Sequence, residues 1–186
     1  MKKVLIFLMT SLFAVSISMG QPAKTNKTNT REAKKETKSA KITLKRLEGT
    51  AVSAEARYKF ESDFGSIPDV TWKRSAYFDE ASFSKGGKEM VAFYDLDGLL
   101  VGTTSAAKFT DLPKRAQDEI KTKYKDYSIG PVIFFDDNEA NTSDMILYGK
   151  QFEDEDNYFI ELTGGTNKIV VQVHPQGEVN YFTQIR

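Results

Sequence analysis

The strongest constraint on the fold is a helix-like pattern that occurs twice, each time followed by short strand-like segments. Apolar residues recur every four positions, as on one face of a helix, first at Phe60 and Phe64 and then at Ile120 and Tyr124. The second pair follows the first by 60 residues. We therefore expect two copies of one unit, a helix followed by antiparallel strands. These units occupy about residues 53–109 and 110–186.

Turn signals between the strand-like segments indicate how the strands connect. Gly86-Gly87 and Asp97-Gly98 separate apolar runs, and an Asp-Gly pair in this position is a strong hairpin signal because both turn residues favour positive φ. Such short links leave no room for parallel crossovers. The sequence predicts an α+β fold, in which two tandem units form a curved antiparallel sheet with the helices packed on one face. The predicted strands are 70–78, 88–95, 99–104, 131–136, 145–152, 158–163, 168–173 and 178–184.

The first 46 residues lack this pattern. Lys2 and Lys3 precede an apolar run that ends near Gly20, so we expect residues 1–20 to be a cleaved signal peptide. Residues 21–46 have almost no large apolar side chain and cannot offset their ordering entropy, so they are predicted to be a disordered tether. The folded domain is then 47–186. The chain has no cysteine for a lipid anchor or a disulfide, and we expect a periplasmic or secreted protein.

Charge divides the chain into a basic segment and an acidic body. Residues 21–46 contain nine Lys and Arg against two Glu, whereas residues 47–186 contain 15 basic and 24 acidic side chains. The field of the acidic body repels phosphates, so nucleic acid is excluded as its partner. The basic tether could contact an anionic membrane or glycan surface weakly; a solvated spacer is the favoured alternative.

Several segments in this order resemble one family. Residues 86–98, Gly-Gly-Lys-Glu-Met-Val-Ala-Phe-Tyr-Asp-Leu-Asp-Gly, resemble the core hairpin of the exported PepSY-like domains of Bacteroidetes, which are similar to beta-lactamase inhibitor protein. Residues 70–72 resemble the first strand of that family, and residues 112–127 resemble its second helix. The likeness covers 53–186 and departs from the family at 174–177, where His-Pro-Gln-Gly replaces Asp-x-Asp-Gly. It implies an exported two-unit domain that acts by binding, and the family label suggests inhibition of a hydrolase.

The residue types give little support to catalysis. His174 is the only histidine and precedes Pro175, and there is no Gly-x-Ser-x-Gly elbow with which it could form a triad. A zinc site is equally unsupported, since there is no second histidine and no cysteine. The segment 95–98, Asp-Leu-Asp-Gly, lacks two of the oxygen ligands of a calcium loop and indicates a turn instead. We predict a non-enzymatic protein with no catalytic residue, cofactor or metal ion.

Two acidic clusters leave an alternative open. The first cluster is predicted to lie in one loop and the second in a tight turn, and such carboxylates could hold Ca²⁺ weakly. The favoured interpretation is that both are solvated segments that keep neighbouring strands from pairing edge to edge. The clusters consist of Asp136, Asp137, Glu139 and Asp144, and of Glu153, Asp154, Glu155 and Asp156.

The predicted binding surface is the sheet face opposite Trp72. Tyrosines and charged side chains on an open sheet face are typical of protein–protein interfaces, although they also occur on the wet side of any one-faced sheet. The predicted binding residues are Lys73, Ser75, Tyr77, Tyr148, Glu161 and Gln172. We expect an exported module that binds another protein, with an envelope hydrolase as the candidate target. The alternatives are an envelope structural or stress protein held by its basic tether, and a hydrolase of cell-wall or glycan material.

Overall fold

The computed structural model describes residues 44–186, so the predicted signal peptide and nearly all of the predicted tether lie outside the described residues. The described chain contains two α-helices, α1 (Ala54–Phe64) and α2 (Lys114–Lys123), and a 3-10 helix (Phe109–Asp111) just before α2. Its strands are β1 (Thr71–Arg74), β2 (Asp79–Lys85), β3 (Lys88–Tyr94), β4 (Leu100–Ala107), β5 (Ser128–Asp137), β6 (Met145–Leu147), β7 (Lys150–Phe152), β8 (Asn157–Gly164), β9 (Asn167–Val173) and β10 (Val179–Ile185).

Eight of the strands form one antiparallel sheet in the order β1-β2-β3-β4-β5-β8-β9-β10. Strands β6 and β7 form a separate two-stranded hairpin. The predicted α+β class is therefore confirmed. Each helix precedes a group of strands in the chain.

Local signals set the ends of the first helix. The hydroxyl oxygen of Ser53 accepts a hydrogen bond from the backbone N–H of Ala56 at 3.0 Å and so caps the helix. At the other end Gly65 has φ 81°, a conformation that costs glycine little. Between the caps Ala56 and Phe60 are buried against the sheet. The helix predicted from the spacing of Phe60 and Phe64 is confirmed.

Turns interrupt two of the predicted strands, and β2 was not predicted as a strand. The strand predicted over 70–78 ends at Arg74, because the hydroxyl of Ser75 bonds both the backbone N–H and the carbonyl of Phe78 and closes a turn. Alternation along the predicted strand 70–78 would place Trp72 and Phe78 on the same side, and this is wrong: they join apolar clusters on opposite faces of the sheet. The strand predicted over 145–152 is the β6–β7 hairpin, since Tyr148 and Gly149 both have positive φ.

The sheet is covered on both faces. On the helix face, α1 and α2 each bury their apolar residues against the strands. On the other face, which we call the hairpin face, the β6–β7 hairpin covers the middle of the sheet. Phe152 of this hairpin lies 5.2 Å from Phe135, 4.9 Å from Phe159 and 6.0 Å from Phe182, measured between ring centroids. The face that the sequence predicted to be open is thus closed at its centre by a phenylalanine cluster.

Candidate protein-binding surface

Three of the predicted binding residues lie together at one edge of the sheet. Lys73 is exposed on the edge strand β1, where its Cα partner on β2 is Glu80. Ser75 belongs to the turn that joins these two strands, and its hydroxyl is engaged by Phe78. Tyr77 is half-buried against the phenylalanine cluster of the hairpin face. Of this group, Lys73 is the residue most available to a partner.

The other three predicted residues are placed by different elements. Tyr148 lies in the tight turn of the β6–β7 hairpin, and its hydroxyl donates to Oε1 of Glu161 on β8 at 3.0 Å. Burial, and next the hydrogen bond with Glu161, raise the pKa of the Tyr148 phenol well above its usual range. Gln172 is half-buried on β9 opposite Phe159. The Tyr148–Glu161 contact therefore fastens the hairpin to the sheet.

The six residues do not form one patch. Four strands separate β1 from β8, and at about 4.8 Å per strand the two groups are roughly 24 Å apart. The hairpin lies between them. Register places Lys73 and Glu161 on the same face, as the alternation predicted. The sequence did not indicate that part of that face is covered.

A surface that the sequence reasoning missed lies at the β3–β4 turn. Leu96 and Leu99 flank the Asp97-Gly98 pair and are each 45% exposed. Gly98 has φ 69°, whereas Asp97 does not share this left-handed conformation, so the predicted hairpin is confirmed with only one residue at positive φ. The sequence feature that could have revealed this surface is the pair of leucines beside a tight turn, where the sheet does not cover them.

One carboxylate holds this turn in a single conformation. Oδ1 of Asp95 accepts hydrogen bonds from the backbone N–H groups of Asp97 at 3.0 Å and Leu99 at 2.9 Å. Its Oδ2 accepts from the Asn141 side chain at 3.0 Å. Both exposed leucines therefore sit on a preorganised turn, which lowers the entropy that a partner must overcome on binding.

The β3–β4 turn and the predicted residue Lys73 occur at the same end of the sheet. Lys73 pairs with Glu80, and Glu80 pairs with Phe93, which lies two residues before Asp95. Two strand spacings, roughly 10 Å, separate β1 from β3. We call this region the loop end of the sheet and define it by Lys73, Leu96 and Leu99.

The remaining candidate residues are His174 and the two acidic clusters. Nδ1 of His174 pairs with Oε1 of Glu155 at 3.0 Å, and within residues 44–186 no serine or threonine hydroxyl hydrogen-bonds to its side chain. Asp136 and Asp137 belong to β5 and not to the predicted loop. Asp154 is only 2% exposed, so its turn is not simply solvated as expected. No group of three His, Asp or Glu side chains in the described part of the chain could hold a metal ion.

Known structures share this architecture, although no family model and no curated protein matches the sequence. A DUF2874 family protein from Bacteroides uniformis is similar with a TM-score of 0.58 and 12% identity, covering 72% of this chain and 90% of that protein. A BLIP-like protein from Bacteroides fragilis has a TM-score of 0.56 and 12% identity, covering 73% of this chain and 87% of that protein. A Bacteroides eggerthii protein, provisionally described as periplasmic, has a TM-score of 0.58 and 12% identity, covering 72% of this chain and 89% of that protein. At this identity the likeness establishes the fold.

Proposed function

We propose that this protein is an exported, non-enzymatic module that binds another protein through the loop end of its sheet. The observation that carries the proposal is the pair Leu96 and Leu99, nearly half exposed on a turn that Asp95 holds rigid. Exposed apolar side chains on an ordered turn can be buried by a partner at a small cost in ordering entropy. Lys73 adds a charge at the rim, where it affects association rate and specificity more than affinity.

The fold and the predicted family both support one class of partner. The fold is that of a BLIP-like protein, and inhibition or regulation of an envelope hydrolase is the role that this likeness supports. The PepSY-like resemblance is part of the same proposal. Export through residues 1–20 to the periplasm or beyond would place the domain beside such enzymes. Neither α1 nor α2 in the described chain has the length and apolar character of a membrane span.

A pull-down with matched variants tests the proposal. The whole chain is expressed with its own N-terminal segment in a Gram-negative host, purified and crosslinked to an envelope fraction. Leu96→Ser/Leu99→Ser and Lys73→Glu are compared with Ile129→Ser/Tyr181→Ser, which removes apolar groups that are 41% and 55% exposed elsewhere. We expect the loop-end variants to lose a stoichiometric partner that the control retains. Equal recovery by all variants would overturn the loop end as the binding site.

The second part of the test concerns the partner. A recovered hydrolase is assayed with and without added protein, and we expect lower turnover with the wild-type chain than with Leu96→Ser/Leu99→Ser. The alternative role, an envelope structural or stress protein held by its tether, makes a different prediction. Deleting residues 21–46 would then release the protein from envelope fractions, and salt would have the same effect by screening the charges of that segment.

A further inference from the structure

A cavity of about 300 Å³ opens on the helix face, at the entry to α2. Its lining comes from the 3-10 helix and the start of α2, from β5 and β8, and from two turns. The lining residues are Asp111, Leu112, Pro113, Phe134, Tyr158, Asp156 and Pro175. A volume of this size accommodates one large side chain or a small ligand. The cavity shares no residue with the loop end, so its occupant is a separate question.

An aromatic pair forms the apolar wall of the cavity. Phe134 and Tyr158 are Cα partners on β5 and β8, and their ring centroids lie 4.7 Å apart with the planes tilted by 39°. Leu112 is buried beside them. Aromatic faces attract cations through the ring quadrupole and also accept an apolar stem.

Two carboxylates, the exposed Asp111 and the half-buried Asp156, supply negative charge at the same cavity. Oδ2 of Asp111 accepts a hydrogen bond from the backbone N–H of Lys108 at 2.8 Å, and Oδ1 of Asp156 accepts one from the backbone N–H of Asp137 at 3.0 Å. Each side chain is thus held through one oxygen. Within residues 44–186 the ion pairs join Arg74 to Asp79, Lys114 to Asp118 and His174 to Glu155, so none of them neutralises Asp111 or Asp156.

The negative charge of the two carboxylates affects the Tyr158 side chain in the cavity wall. Burial raises the pKa of the Tyr158 phenol, and the negative charges of Asp111 and Asp156 raise it further. The same negative potential at Tyr158 favours a cation placed against its ring. The combination of an aromatic wall with two carboxylates, each held through one oxygen, is complementary to a delocalised cation.

We propose that this cavity binds the guanidinium group of an arginine side chain from a protein partner. A guanidinium is planar and weakly hydrated, so it can lie against Phe134 and Tyr158 while its edge donates to a carboxylate. A lysine ammonium is more strongly hydrated and stacks less well. A divalent cation would need further oxygen ligands, and none of the described acidic groups forms such a site.

Titration with short peptides, followed by backbone amide NMR shifts, tests the proposal on the intact exported chain. The probe is N-acetyl-Gly-Arg-Gly-amide, and the matched peptide carries citrulline, which has the same shape without the charge. We expect millimolar binding with shifts centred on Phe134 and Tyr158, and about tenfold weaker binding of the citrulline peptide. Asp111→Asn and Asp156→Asn keep an oxygen for their backbone bonds and should each weaken binding several-fold.

Any one of four results would overturn the proposal. The first is equal binding of the arginine and citrulline peptides, and the second is the same set of shifts on adding calcium chloride alone. The third is an equal loss of affinity in Asp126→Asn, which removes one exposed carboxylate outside the cavity and so measures the effect of net charge. Binding of free arginine as tight as that of the peptide would assign the cavity to a small ligand instead. Loss of partner recovery in the loop-end variants would leave these outcomes unchanged, since those variants do not alter the cavity.

Discussion

Asp79 connects three parts of the first unit through one buried carboxylate. It is 0% exposed and accepts hydrogen bonds from Nε and Nη2 of Arg74, both at 2.7 Å, and from the backbone N–H of Ser53 at 2.9 Å. Arg74 also donates to the carbonyl of Glu48 at 2.8 Å. The pair therefore holds the start of α1 and the chain before it against β1 and β2. These contacts fix the edge strand that carries Lys73.

Removing this carboxylate should be costly because it leaves a guanidinium that is only 13% exposed without its partner. We expect Asp79→Asn to lower the free energy of unfolding by about 3–5 kcal/mol. The control is Asp118→Asn, which breaks the exposed ion pair with Lys114 and should cost at most about 0.5 kcal/mol. Urea unfolding followed by the fluorescence of Trp72 measures both. Similar values for the two variants would contradict the structural role of Asp79.

The same group predicts how stability depends on pH. Burial alone would raise the pKa of Asp79, but the hydrogen bonds from Arg74 and Ser53 outweigh it and hold the pKa below the ordinary value of 3.8. Since the pKa of Asp79 is lowered in the folded state, its contribution to stability is complete above the unfolded value of 3.8. This contribution is lost as the pH falls through the lower pKa of the folded state. The stability difference between wild type and Asp79→Asn should therefore be constant near neutrality and shrink in acid. A stability difference that grows in acid would contradict the lowered pKa of Asp79.

At the scale of elements, the β6–β7 hairpin closes the phenylalanine cluster. Phe152 is 7% exposed and contacts three other rings, so Phe152→Ala should lower the free energy of unfolding by about 3–5 kcal/mol. Tyr181→Ala provides the control, since Tyr181 is 55% exposed, and should change stability by less than about 0.5 kcal/mol. Thermal unfolding with calorimetry gives both values. A small loss in Phe152→Ala would mean that the hairpin is not needed to close the core.

This hairpin also marks the limit of what local sequence patterns reveal. The first helix and the β3–β4 turn were predictable because a serine cap, apolar residues four apart and an Asp-Gly pair act within a few residues. The segment 145–152 has the apolar content of one strand, and its division depends on Tyr148 adopting φ 51°, which few non-glycine residues do. That conformation is retained because Glu161, distant in sequence, accepts a bond from the Tyr148 hydroxyl.

The candidate sites were predictable to a similar degree. Lys73 was identified because strand alternation gives the face of a side chain. Leu96 and Leu99 were not identified, since apolar residues beside a turn resemble the ends of two strands. The cavity at Asp111 and Asp156 was also missed, because 45 residues separate these carboxylates and only the packing of α2 on β5 and β8 brings them together.

At the scale of the whole molecule, the two predicted units share one of the apolar clusters. The phenylalanine cluster of the hairpin face draws Phe78 and Phe93 from the first unit and Phe135, Phe159 and Phe182 from the second. The sheet is continuous across the β4–β5 pair. Neither unit can therefore bury its share of this cluster without the other. A sequence repeat does not imply two independent folding units in this case.

This shared core predicts a single cooperative unfolding transition. Trp72 lies in the apolar cluster under α1, so its fluorescence reports on the first unit, whereas far-ultraviolet circular dichroism reports on the strands of both. The two signals should give the same urea midpoint, because unfolding of the first unit would expose the second unit's part of the phenylalanine cluster to water. A polypeptide of residues 110–186 alone should show no cooperative transition, and adding residues 47–109 as a separate chain should restore one. Two separate midpoints, or a folded second unit in isolation, would show that the units are autonomous and that their common cluster contributes little.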